Sequence, residues 1–209
     1  LAIRGRQSAS GAHRDPPDPW LDEIMEDCYD SFQLSLAAGA KLRIGEVDTA
    51  RRWLERAIDI APQDLSAHFQ LAGLLKQQND RQAALQYYIR CTQLDPQFSD
   101  GWAQLSDLYD QLGNRAESER ALAQGLEHCP DSPGLHRMRA KRLNAAGQPG
   151  AAVAEFRTSI RLRPNEPEPY IELGIILMQL GRNAEGIAQI EKSLVYDPLN
   201  PSALGILAF

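Results

Sequence analysis

Proline stands at positions 62, 96, 130, 164 and 198, a spacing of 34 residues kept without an insertion. A chain that repeats itself at this length is built from one supersecondary unit stacked on copies of itself. The best-defined copy runs from 99 to 132. In it Trp102, Leu105, Leu108, Tyr109 and Leu112 recur at i, i+3, i+4 spacing, which gathers apolar side chains on one helix face. Gly113 follows, where a left-handed residue closes a helix. A second helix is predicted through Ala116, Ala121, Leu122 and Leu126 to Pro130, which cannot continue it. Such a hairpin has one apolar side and nothing of its own to bury it against.

Laid on the 34-residue period, the chain forms columns. Gly45, Asn79, Gly113, Gly147 and Gly181 align as the turn residue, and asparagine is the side chain that best tolerates positive φ after glycine. Three columns hold only small residues: Ala38, Ala72, Ser106, Ala140 and Gly174; Ala50, Ala84, Ser118, Ala152 and Gly186; and Ala57, Cys91, Gly125, Ser159 and Ser193. Beside them run Leu54, Tyr88, Leu122, Phe156 and Ile190, and Lys41, Leu75, Tyr109, Leu143 and Leu177, with one lysine out of character. Small columns let helices approach closely, and large ones fill the space between them.

A 34-residue helix-turn-helix with Trp102, Leu105, Ser106, Tyr109, Ser118, Leu122 and Pro130 in these places resembles a tetratricopeptide repeat. The resemblance covers five full repeats, 31–64, 65–98, 99–132, 133–166 and 167–200, and a partial sixth at 201–209. It implies an all-α fold, a right-handed α–α superhelix of antiparallel helix pairs. The helices are predicted at 32–44, 48–60, 66–78, 82–94, 100–112, 116–128, 134–146, 150–162, 168–180 and 184–196. Ahead of them, residues 1–19 are rich in Arg, Ser, Gly and Pro and read as a linker. Asp18-Pro19 is a good helix start, and no breaker intervenes before Gly39. The expectation is therefore a continuous or barely bent helix from Trp20 to near Gly45, with 20–30 as a capping extension of the first repeat.

Charge and composition exclude several classes of function. The chain has 28 acidic and 22 basic residues, a net charge of −6, and so lacks the basic face that nucleic acid requires. No apolar run approaches a membrane span, and residues 1–19 contain no secretory apolar core. A start at Leu1 reads as a fragment of a longer protein. Cys28, Cys91 and Cys129 form no CxxC pair and read as small packing residues. No phosphate loop or HExxH occurs, so no catalytic residue, cofactor or metal is assigned. His128, Cys129 and His136 lack a fourth zinc ligand, and His68 and His136 share a column with Trp102 and Tyr170, where packing within the repeat explains them.

The resemblance implies a concave surface lined by the first helix of each repeat, along which a protein or peptide segment lies. Carried onto this sequence, that surface holds Phe69, Gln70, Lys76 and Gln77, then Gln104, Asp107, Asp110 and Gln111. Arg137, Met138, Lys141 and Asn144 follow, then Ile171 and Glu172. Arg137 and Lys141 stand between acidic neighbours and could pair with them or clamp an acidic partner. Arg139 departs from a leucine column. The Lys, Asn and Arg set with which some tetratricopeptide domains hold chaperone carboxylates is absent: its opening places carry Ser35, Gly39 and Gln70, then Phe69, Gly73 and Gln104, then Ala103, Asp107 and Met138. Two alternatives accompany the scaffold reading. One is an accessory arm of a larger enzyme or redox protein. The other is self-association as a homodimer through Leu204, Ile206, Leu207 and Phe209, an apolar edge where a terminal cap is expected to be polar.

Overall fold

In a computed structural model the described residues are 19–208, and the linker expected at the start of the chain and Phe209 lie outside them. Twelve helices are present among the described residues, and no strand: α1 (Pro19–Glu26), α2 (Ser31–Ile44), α3 (Val47–Ile60), α4 (Leu65–Gln77), α5 (Arg81–Leu94), α6 (Ser99–Gln111), α7 (Arg115–His128), α8 (Pro133–Ala145), α9 (Pro149–Leu162), α10 (Pro167–Gln179), α11 (Asn183–Tyr196) and α12 (Pro201–Leu207). The ten repeat helices start and stop within a residue of the sequence expectation. The chain divides into two compact units, Leu1–Leu74 and Leu75–Phe209.

In the first unit α2 packs against α3 around Leu34, Ala38, Ala50, Leu54 and Ala57, all fully buried. Lys41 is buried with them. Its ammonium pairs with Glu46 at 2.7 Å and lies 5.6 Å from the centre of the Trp53 ring, so the charge is met on two sides. The continuous N-terminal helix does not form. The chain breaks after Glu26 because Asp30 turns to extended backbone and its carboxylate accepts from the Phe32 and Gln33 amides, capping α2. Arg56 of α3 meets the end of α1 from outside, donating to the Met25 and Glu26 carbonyls. α1 ends at Glu26, and the second helices of the five repeats end at Ile60, Leu94, His128, Leu162 and Tyr196, each 34 residues on. α1 is thus in register as a second helix, not an extension of the first.

In the second unit α6 packs on α7, α8 on α9 and α10 on α11, and the pairs join through α5 on α6, α7 on α8 and α9 on α10. The small columns sit where the helices of a pair cross. Ser106 and Ser118 are fully buried there and exchange hydrogen bonds, each hydroxyl donating to the other's backbone carbonyl at 2.8 and 2.6 Å. Two pairs later even a methyl group has no room. A Cβ on Gly186 would lie 2.6 Å from the Gly174 carbonyl oxygen, and one on Gly174 would lie 2.8 Å from that of Gly186. The turn column takes the left-handed conformation at every member, from φ 65° at Asn79 to 86° at Gly45.

A further regularity holds the turns. His68, Trp102, His136 and Tyr170 each bring a ring nitrogen or hydroxyl to the carbonyl of the proline six residues earlier, at 3.1, 2.8, 2.8 and 2.8 Å. That carbonyl lies past the end of a helix and has no helical donor, so the side-chain tip supplies one.

Two outcomes follow from this packing. Gly186→Ala pushes two backbones apart and lowers stability by about 1–3 kcal/mol, whereas Gly150→Ala, which meets nothing within 4 Å, raises it by up to about 1 kcal/mol; urea unfolding of the two variants checks the contrast. Burial pushes the Cys91 thiol up to about 12, leaving it neutral and unreactive near pH 8. A thiol reagent at that pH labels the half-buried Cys28 and reaches Cys91 only when denaturant is added.

Candidate functional site

The first helices of the second unit present one face of mixed charge. Its cations come from α4 and α8, because helical spacing places Lys76 at the last turn of α4 and Arg137, Lys141 and Arg142 along α8. Three of the four are engaged. Lys76 donates to Asp107 at 2.6 Å and to Gln104 at 3.0 Å, and Gln111 also donates to Asp107 at 2.7 Å. Arg142 reaches back to Asp110 at 2.6 Å and to the Ser118 hydroxyl at 2.6 Å, tying one repeat to the hydroxyl pair inside the last. Lys141 pairs with Glu172 at 2.5 Å. The bonds of Lys76 and the Arg142–Asp110 pair span 28 to 32 residues, so each joins a first helix to that of an adjacent repeat.

Arg137 differs. It is half-buried, and among the described residues it has no ion pair or hydrogen-bond partner. One turn of helix separates it from Lys141, whose charge Glu172 already neutralises. The same Glu172 keeps its second oxygen, Oε2, buried without a hydrogen-bond partner. Apolar surface lies nearby in the same set of helices: Met138 is half-buried and Ile175 is 36 % exposed.

The structure sorts the residues expected from sequence. Lys76, Gln104, Asp107, Asp110, Gln111, Lys141 and Glu172 form the network just described. Gln77 is exposed, and Asn144 is half-buried. Phe69 and Gln70 belong to the first unit, where both are half-buried and Gln70 donates to Ser66 at 3.0 Å. Ile171 is corrected: it is 7 % exposed, packed with Ile190 and Ala203, so it is core and lines no open face. Ile206 and Leu207 are half-buried and pack against that cluster. Leu204, the third described member of the expected edge, is 44 % exposed. The periodicity hid this because α12 repeats only the first helix of a unit and lays it over α10 and α11.

Arg139, out of character in its leucine column, turns outward to Glu155 at 3.6 Å. It leaves an opening of about 340 Å³ lined by Leu122, Ala123, Leu126, Glu119 and Arg139 itself. Glu155 also meets His136 Nδ1 at 2.6 Å. His128 stacks on Trp102 with 5.7 Å between ring centres, and the Cys129 thiol points to the Pro96 carbonyl at 3.6 Å. Each of the three residues weighed for zinc has a different neighbour. Among the described residues no three His, Cys, Asp or Glu converge as a metal site, and no helix is long and apolar enough to cross a membrane.

Comparison with known proteins agrees with this architecture. The tetratricopeptide repeat family model matches residues 75–142. A TPR repeat-containing protein of Synechococcus elongatus is 26 % identical over 184 residues, covering 85 % of this chain and 45 % of its own length. The chain spans less than half the length of the curated relatives it matches. Among solved structures, the Thermus thermophilus protein TTC0263, described as a thermophilic TPR protein, superposes with a TM-score of 0.65 at 22 % identity, covering 85 % of this chain and 97 % of that one. YrrB, described as a TPR protein with an unusual peptide-binding site, gives 0.60 at 12 % identity over 92 % and 99 %. At these identities the likeness is one of fold. With the 34-residue period, the left-handed turn column and the paired helices agreeing with the family model, the chain has the tetratricopeptide-repeat fold.

Proposed function

We propose that the chain is a non-catalytic scaffold that holds an extended, acid-bearing segment of another protein along the first helices of its second unit. Tetratricopeptide repeats serve as protein-interaction scaffolds, and the YrrB relative in fold carries a peptide-binding site by its own description. One observation carries the choice of ligand. Lys76, Lys141 and Arg142 are each held by a carboxylate of the chain, whereas Arg137 has none. A half-buried guanidinium is costly to leave unpaired, and its planar fork matches a carboxylate in two hydrogen bonds. Met138 and Ile175 supply apolar surface for a neighbouring side chain of the ligand. The pairs around Arg137 are exposed enough to be worth only about 0–1 kcal/mol each, so they set helix spacing and charge pattern more than stability.

The test is a pull-down with the full chain as bait, followed by titration of the recovered partner. Arg137→Glu lowers the affinity by about tenfold or more, the cost of replacing an anchoring charge. Lys141→Gln has a smaller effect because Glu172 already consumes its charge. Equal losses for the two variants, or undiminished binding by Arg137→Glu, remove the assignment.

A further inference from the structure

The N-terminal end of the first unit carries a second surface. Its starting point is a column in which every other member is hidden. Leu54, Tyr88, Leu122, Phe156 and Ile190 are at most 2 % exposed, yet Trp20, 34 residues before Leu54, is 66 % exposed. Ile24, one turn on, is 60 % exposed, where Ile58, Leu126, Ile160 and Leu194 are half-buried and Thr92 is buried. On α2, Leu36 is 64 % exposed, whereas Gln70, Gln104, Met138, Glu172 and Ile206 of its column are half-buried.

These positions share a cause. In the second unit a first helix packs both on its own second helix, as α6 does on α7, and on the next first helix, as α6 does on α8. The column of Leu36 faces the first helix before it: Gln104 and Glu172 receive Lys76 and Lys141 from there. α1 has the register of a second helix, and among the described residues no first helix precedes it. Trp20, Ile24 and Leu36 are therefore the side chains that such a helix would cover.

Charge selects what covers them. Between residues 15 and 40 there are seven acidic residues and no Lys, Arg or His. The rest of the chain carries 21 acidic against 22 basic residues, so the whole net charge of −6 arises in this stretch. A second copy entering by its C-terminal end brings three acidic residues and one lysine over 183–209, the wrong sign. We propose that the apolar faces of α1 and α2 dock a basic amphipathic helix of a partner protein, seated where the first helix of a preceding repeat belongs. Its apolar stripe meets Trp20, Ile24 and Leu36, and its Lys or Arg flanks meet the acidic stretch. This surface is independent of Arg137.

Acrylamide quenching of tryptophan tests it in the full chain, because Trp53 and Trp102 are 5 % and 7 % exposed and Trp20 dominates the accessible emission. The probes are a Leu/Lys amphipathic peptide of about 18 residues, five helical turns, and its Leu/Glu counterpart. The Leu/Lys peptide protects Trp20, and Ile24→Glu and Leu36→Glu each weaken it by about tenfold or more. Arg137→Glu leaves this binding unchanged, and the Leu/Glu peptide gives no protection. Equal protection by both peptides overturns the charge argument, and indifference to Ile24→Glu and Leu36→Glu overturns the site. Protection that rises with protein concentration alone assigns the face to a second copy. Quenching of the free protein that increases when Arg4, Arg6 and Arg14 are changed to Glu assigns it to the chain's own basic stretch. Either result also overturns the proposal.

Discussion

Close approach of two helix backbones is the condition on which this protein is built. At the crossings the side chains are reduced to alanine, serine, cysteine or glycine, and at Gly174 and Gly186 even a methyl group would meet a carbonyl oxygen. Where one member of a crossing grows, another shrinks. Trp102 is the largest residue of its column, and Gly125 opposite it is the smallest of its own; a Cβ there would lie 2.7 Å from that of Trp102. Large side chains such as Tyr88 and Phe156 are then hidden beside the crossing. Burial on this scale is available only between neighbouring helices, and each repeat depends on the next to complete it.

Backbone requirements were the most legible part of the sequence. A left-handed turn residue and a helix-ending proline are local demands, so glycine, asparagine and proline mark them directly, and the helices followed to within a residue. Interactions that cross from one repeat to another were poorly legible. Lys76 and Arg142 reach partners 28 to 32 residues away, offsets that the 34-residue period does not generate. The Arg142 guanidinium also enters the protein as far as the Ser118 hydroxyl. The break before α2 was missed because Cys28 stands where later turns carry proline, and the capping carboxylate of Asp30 carried the signal instead.

The ends of a repeat protein show what its middle hides. Ile171 looked like a ligand contact from its column, but α12 covers it together with Ile190. At the other end Trp20, which shares the column of Ile190, is 66 % exposed, and Leu36, which shares that of Ile206, is 64 % exposed. Position in the period sets which way a side chain points. Whether it meets protein or solvent depends on how many neighbours the repeat has.

The proline carbonyls of the turns receive hydrogen bonds from two imidazoles, an indole and a phenol over the same six-residue reach. What this site selects for is a flat ring with a polar tip at a fixed distance, and three unlike residue types meet that specification. The fold can therefore hold its geometry while the chemistry at the joint drifts, and a search for this protein's kin that insists on one residue there will pass over chains built the same way.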